Sequence, residues 1–357
     1  MTKRPLSLSS KIVITVLATA LLLTAAMTAG LAMGSSGSGL SAVWQTLFAD
    51  GGNSTEGAII WRLRLPRVLL AAMVGAALSL GGLVFQALLK NPLAEPYILG
   101  ISGGAAIGAI TGIILGLSRI PGVGITSFAG SLATLTLILA ISSGRTILVK
   151  DALLLSGVMV NAFCSAVIMF LISITQDSRL HNILFWLMGD LSASRIEHAG
   201  MLAAILLPCF AVVFIYSNRM NLLQLGSEMA ASMGVPVRRV ILTLLVITSL
   251  MVSATVSQCG LIGFVGLVIP HLLRLIVGPD HRVLVPGCIL GGGAYMVVCD
   301  LLSRVLPAQG EMPGGVITAM IGAPLFIILL RRSKQCTRRY PSMDCTAPIP
   351  ERGCCTR

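Results

Sequence analysis

The side chains that could ligate a metal or carry out bond chemistry are few and scattered. His181, His198, His271 and His281 stand alone, and no H-E-x-x-H pair sets two imidazoles on one helical face for zinc. The G-x-S-x-G spacing occurs once, as "GISGG" at 100–104 inside an apolar run, and no G-x-x-x-x-G-K-[ST] loop offers backbone amides to nucleotide phosphates. The chain therefore reads as neither an enzyme nor a self-sufficient ATPase. Cys164, Cys209, Cys259, Cys288 and Cys299 fall in apolar runs, where a thiol behaves as a small buried hydrophobe. Cys336, Cys345, Cys354 and Cys355 lie in a basic, Pro-containing tail without C-x-x-C spacing, so no metal and no cofactor are expected. His271 and Asp300 sit near the ends of apolar runs and do not make the intramembrane relay of a proton- or sodium-driven carrier.

One stretch suggests docking rather than catalysis. "GSEMAASMGVPVRR", residues 226 to 239, predicts a short Ala-rich helix with Glu228 near its positive end, Gly234 closing it and Pro236 preventing its continuation. Alanine and glycine let another helix approach closely.

The elements around that helix belong in lipid. Of 357 residues, 55% are hydrophobic and 11% charged, with mean hydropathy +0.94, which excludes a soluble globular domain. Apolar runs long enough to cross a hydrocarbon core of about 30 Å recur near 12–33, 66–89, 97–117, 121–142, 152–174, 196–216, 239–258, 260–277, 283–302 and 314–331. The expected fold is an all-α polytopic membrane protein with ten spans over residues 1–332. The basic, Cys-containing segment 333–357 is expected to be a disordered tail. With the N-terminus inside, the inner segments hold 18 Lys/Arg against 6 Asp/Glu and the outer segments 7 of each. The whole net charge of +12 then lies on the cytoplasmic side, as the positive-inside bias requires, and no nucleic-acid partner is needed. Both termini are expected in the cytoplasm.

Two outer segments stand out: one has a short amphipathic stretch around Trp44–Phe48, and the other predicts a short helix over Leu180–Met188 that is not long enough to span. Small residues crowd the spans, as in "VGAALSLGG" and "LGISGGAAIG", which implies close helix packing; Pro92 and Pro96 ahead of "GISGG" also allow a broken or shortened third helix. "AALSLGGL" from Ala76 and "ATVSQCGL" from Ala254 share Ala, Ser, Gly and Leu at the same spacing in spans of opposite direction, a weak echo consistent with an inverted repeat.

Glu228, Ala230 and Gly234 form E-x-A-x-x-x-G, which resembles the coupling-helix signature of ABC importer permeases. The blocks "RLPRVLLAAMVGAALSLGGLVFQALLKNPLAEPYILGISGGAAIG", "GLIGFVGLVIPHLLRLIVGPDHR" and "EMPGGVITAMIGAPLFIILL" resemble, in order, those of the FecCD family, permeases for iron-siderophores, haem and cobalamin. The resemblance covers about residues 10 to 332.

It implies a type II ABC importer permease fold of ten helices and no bond chemistry in this chain. The implied partners are a second permease copy in a homodimer, an ATP-binding cassette ATPase subunit, an extracytoplasmic substrate-binding protein and the lipid bilayer. The pathway would lie between facing fifth and tenth spans of the two copies. Glu228, Ala230, Ala231 and Gly234 would form the ATPase-coupling helix. Asn91 and Leu93 of "NPLAEP" would be inner-gate residues, with a plain Pro-bounded turn as the other reading. On the residues alone Arg64, Arg67 and Arg304 read as interfacial anchors to lipid phosphates, whereas the resemblance implies that they receive acidic residues of the binding protein. Lys150 and Asp151 stand where some relatives carry small hydroxyl residues, a departure shared by the tail. The alternative function is a secondary transporter or channel without an ATPase.

Overall fold

The computed structural model describes residues 7–33, 55–142, 150–192, 194–307 and 310–339. Among them there is no strand. The helices are α1 (Leu8–Ala32), α2 (Leu65–Leu89), α3 (Ile101–Ile114), α4 (Gly124–Ser142), α5 (Lys150–Ser173), α6 (Asp177–Leu187), α7 (Ile196–Ile215), α8 (Ser217–Gln224), α9 (Ser227–Ser232), α10 (Val237–Cys259), α11 (Val265–Val277), α12 (His281–Val305) and α13 (Gly314–Arg339). Seven helical stretches are long and apolar enough to cross a membrane, and Ile101–Ile114, Val265–Val277 and Gly314–Leu329 are shorter apolar helices. Each of the ten expected spans thus carries a helix. The short helix expected over Leu180–Met188 is α6, and α13 continues past the expected boundary at 332. The Trp44–Phe48 segment and the tail beyond Arg339 lie outside the described residues.

Where α1 begins is here the inner end of the bundle, and where it ends the outer. The centre is α2, with 83% of its span buried, against 17% for α1 and 22% for α5. Lipid supplies no hydrophobic drive between helices, so close backbone approach must hold the centre together. A Cβ at Gly75 would overlap Gly292 O on α12, and one at Gly82 would overlap Gly266 O on α11. The small-residue pattern of "VGAALSLGG" is thus consumed in packing.

Two spans fall short of a full crossing. At about 1.5 Å per residue, α3 with 14 residues and α11 with 13 reach only about 20 Å. A shortened third span agrees with its prolines. The eighth departs from expectation: a helix from 260 is predicted, yet Gly260–Phe264 is not helical. Gly260 has φ 75° and a Cβ there would overlap Trp186 O, so the chain turns against α6 before α11 can start. "GLIGF" is apolar throughout, so hydropathy is blind to this break. The echo at Ala76 and Ala254 marks two like constructions: a long helix (α2, α10), an irregular return, then a short helix (α3, α11). They touch where Gly82 meets Gly266.

Candidate functional site

At the outer end three arginines converge. Arg64 ends the lead-in to α2, Arg67 lies in that helix's first turn, and Arg304 in the last turn of α12. Arg64 donates to Leu31 O at 2.6 Å and Ala32 O at 3.3 Å, and Arg304 donates to Gly30 O at 3.3 Å. Those carbonyls are the orphan acceptors that close α1, whose own last turn has no basic residue. Arg67 pairs with Asp300 at 2.9 Å and with Glu311 at 2.6 Å; Arg304 reaches the other Asp300 oxygen at 3.2 Å. Arg64 is 6% exposed, Arg67 7% and the Arg304 side chain 9%, whereas the Glu311 side chain is 50% exposed. The three expected docking residues are therefore together, but turned inward. As lipid anchors they are badly placed, because their heads are occupied inside the chain.

A second outer ion pair joins Arg119 to Asp190 at 2.8 Å. Burial pushes the Asp190 carboxyl up, but the Ser192 N–H, the Arg119 charge and the Ser192 hydroxyl outweigh it and hold the group below the usual carboxylate range.

At the inner end α9 is closed by a Schellman motif. Gly234 N–H donates to Ala231 O at 2.9 Å and Val235 N–H to Ala230 O at 3.0 Å, which sets Gly234 at φ 83°. Val235 and Ala230, the apolar pair of that motif, are both buried in the core. Glu228, Ala231 and Gly234 are exposed. Ala230 itself is buried and packs within its own subunit. The exposed surface here also carries the apolar side chains of Leu225 (63% exposed), Met229 (56%) and Met233 (56%), spaced by four in sequence. The sequence displays that spacing, but attention to the small residues passes over it.

Beside α9 an open cleft of about 650 Å³ runs between Leu8 and Lys11 of α1, Asn221 of α8 and Asp280 ahead of α12. Asp280 accepts from Asn221 Nδ2 at 2.8 Å, Arg282 N at 3.0 Å and the Arg282 guanidinium at 2.8 Å. Burial raises its carboxyl, but the Arg282 side chain, the Arg282 N–H and Asn221 together bring it down to about 2.

The expected gate residues lie in the return between α2 and α3. Asn91 Oδ1 accepts from Leu93 N at 2.9 Å and Asn91 O from Ala94 N at 3.0 Å, a side-chain-stabilised turn. Leu93 is 41% exposed. Beyond the turn the chain climbs back along α2, bringing the Pro96 ring within 3.5 Å of a Cβ placed at Gly81. Glu95 and Tyr97 there meet the break ahead of α11: Phe264 N–H donates to Glu95 Oε1 at 3.0 Å, and Ile262 N–H donates to the Tyr97 hydroxyl. Neither contact is readable from the sequence, since its partners are 169 and 165 positions apart. Among the described residues no His, Cys, Asp and Glu cluster with metal-ligand geometry occurs, and the five cysteines of the apolar runs are free and buried.

Residues 21–332 match the family model of the FecCD transport family. The chain is 39% identical over 312 residues to the hemin transport system permease protein HmuU of Yersinia pestis, covering 85% of this chain and 93% of that protein. It is 42% identical over 276 residues to the vitamin B12 import system permease protein BtuC of Salmonella arizonae, covering 77% and 83%. Among solved structures, a metal-chelate type ABC transporter in an inward-facing conformation superposes with TM-score 0.79 at 31% identity, over 89% of this chain and 98% of that one.

Proposed function

The chain belongs to the FecCD transport family, and from that premise we propose that it is the membrane subunit of an ABC importer for a metal chelate: a ferric siderophore, haem or cobalamin. It works as a homodimer, driven by separate ATPase subunits and fed by a substrate-binding protein. The observation that carries this reading is α9, a capped helix presenting Met229 and Met233 to the exterior with Leu225 exposed at the end of α8 beside it, in a chain without a phosphate-binding loop. An exposed apolar stripe on a short helix suits a groove on another protein, and methionine adapts to such a groove. Gly234 serves by shaping the helix end, and Glu228 and Ala231 flank the stripe. Lys11, Lys90, Arg219, Arg238, Arg239 and Arg282 belong to the same end, which supports a cytoplasmic placement.

The outer cluster is the docking place of the binding protein. Arg67 and Arg304 there pair with two carboxylates, and the half-exposed Glu311 is the anion that an acidic residue of the partner displaces from Arg67. Asn91 and Leu93, in the turn at the foot of α2, form the inner gate.

The test is reconstitution in proteoliposomes with the ATPase and binding protein of the same cell. ATP-dependent uptake of haemin, cobalamin or a ferric siderophore is expected, with no ATPase activity from the permease alone. Uptake by the permease alone, driven by an ion gradient, overturns the proposal in favour of a secondary transporter.

A further inference from the structure

Among the described residues only Lys90 and Phe264 are non-glycine residues with positive φ, 49° and 69°. A bulky side chain in that region is strained and persists only where its surroundings fix it. Both residues border the irregular returns: Lys90 opens the one between α2 and α3, and Phe264 closes the one between α10 and α11. Phe264 is also the N-cap of α11 without a side-chain cap of its own. Glu95 supplies that cap from the other return, through its Oε1 at 3.0 Å from Phe264 N. On its other side Phe264 fits a notch in α13, with its Cβ 2.6 Å and its ring 3.1 Å from a Cβ placed at Gly322. The ring packs against the small cluster of Leu267, Val268 and Phe326. A continuous physical link therefore runs from the Asn91–Ala94 turn through Glu95 and the strained Phe264 to α13.

We propose that Glu95 is a positioning residue of the transport cycle, holding the gate turn and α13 together through Phe264 so that the two move as one. This rests on the reading of the turn as an inner gate. Loosening the link lets the ATPase cycle while the turn no longer follows α13. Glutamine keeps an acceptor oxygen at the same place, whereas alanine removes it.

The experiment compares Glu95→Ala, Glu95→Gln and the unaltered chain, each reconstituted with ATPase and binding protein, with haemin and cyanocobalamin as transported probes. The number of molecules carried per ATP hydrolysed is expected to fall about tenfold in Glu95→Ala, the loss appropriate to leaving one buried N–H without its acceptor. Hydrolysis is retained in that variant, and Glu95→Gln stays within about twofold of the unaltered chain. A structural role alone would lower hydrolysis and transport together and leave their ratio unchanged, and that result overturns the proposal. So does a Glu95→Gln ratio as low as that of Glu95→Ala. If Glu95→Ala does not assemble, Tyr97→Phe removes the second tie, to Ile262 N–H; a fall of about threefold is expected, and an unchanged ratio overturns the link. An unaltered complex that carries neither probe with ATP counts against the importer reading instead.

Discussion

At the outer end Arg64 and Arg67 are 6% and 7% exposed and bonded within the chain, while at the inner end Leu225, Met229 and Met233 are 63%, 56% and 56% exposed. Both ends are proposed docking surfaces, and they are made in opposite ways. Guanidinium groups cannot be left unpaired in a low-dielectric setting, so the outer end must satisfy its charges before any partner arrives. Docking there is an exchange, in which one carboxylate replaces another. Methionine and leucine carry no such debt, and docking on α9 simply removes apolar surface from water. The outer surface is therefore part of the fold, whereas the inner one is added to it.

The sharpest break of this contrast is Asp300→Ala. It leaves Arg304 without a carboxylate and Arg67 with only the half-exposed Glu311, and a loss of about 3–5 kcal/mol is expected in denaturation of the purified permease. A loss under about 1 kcal/mol would mean that the arginines do not depend on Asp300 and that the outer end is no different from the inner. Next comes Met229→Asp with Met233→Asp. Global stability should hardly change, because both side chains are exposed. Association with the ATPase should weaken by about 2 kcal/mol per residue, roughly 30-fold each, measured by co-purification or titration. Equal damage to fold and association would place α9 on the same footing as the outer cluster.

Asp280 refines the contrast, since it is a charged contact at the inner end. Its carboxyl is held down to about 2, below the ordinary 3.8, so its contribution is present at neutral pH and is lost as pH falls from about 4 through about 2. The stability difference between the unaltered chain and Asp280→Asn should shrink across that window and not above it. A difference that grew on acidification would have the wrong sign. The smallest effect belongs to Glu311→Gln. Half-exposed, its pair with Arg67 is worth about 0.2–1 kcal/mol, so stability should scarcely fall. Docking of the binding protein should tighten, because a competitor for Arg67 has gone; weaker docking would show that Glu311 itself contacts the partner.

Hydropathy makes all ten spans legible because crossing lipid is a demand on composition and length. It does not register the shortness of α11, since backbone breaks in "GLIGF" leave the apolar average intact. The arginines are visible as charges at the ends of α2 and α12, but their inward turn depends on Asp300 and Glu311, 233 and 244 positions from Arg67. At α9 the pattern E-x-A-x-x-x-G identifies the helix and its glycine stop. It does not show that Ala230 is buried, because small residues serve inward packing as readily as outward docking. Glu95 is in plain sight in "NPLAEP", yet only folding brings it to Phe264.

The end of α1 is completed by Arg304, 274 residues further along the chain. During synthesis Arg64 can close the Leu31 and Ala32 carbonyls as soon as α2 is made, but the Gly30 carbonyl must wait until α12 has been made. A nascent permease that stalls before α12 therefore carries a half-finished helix end.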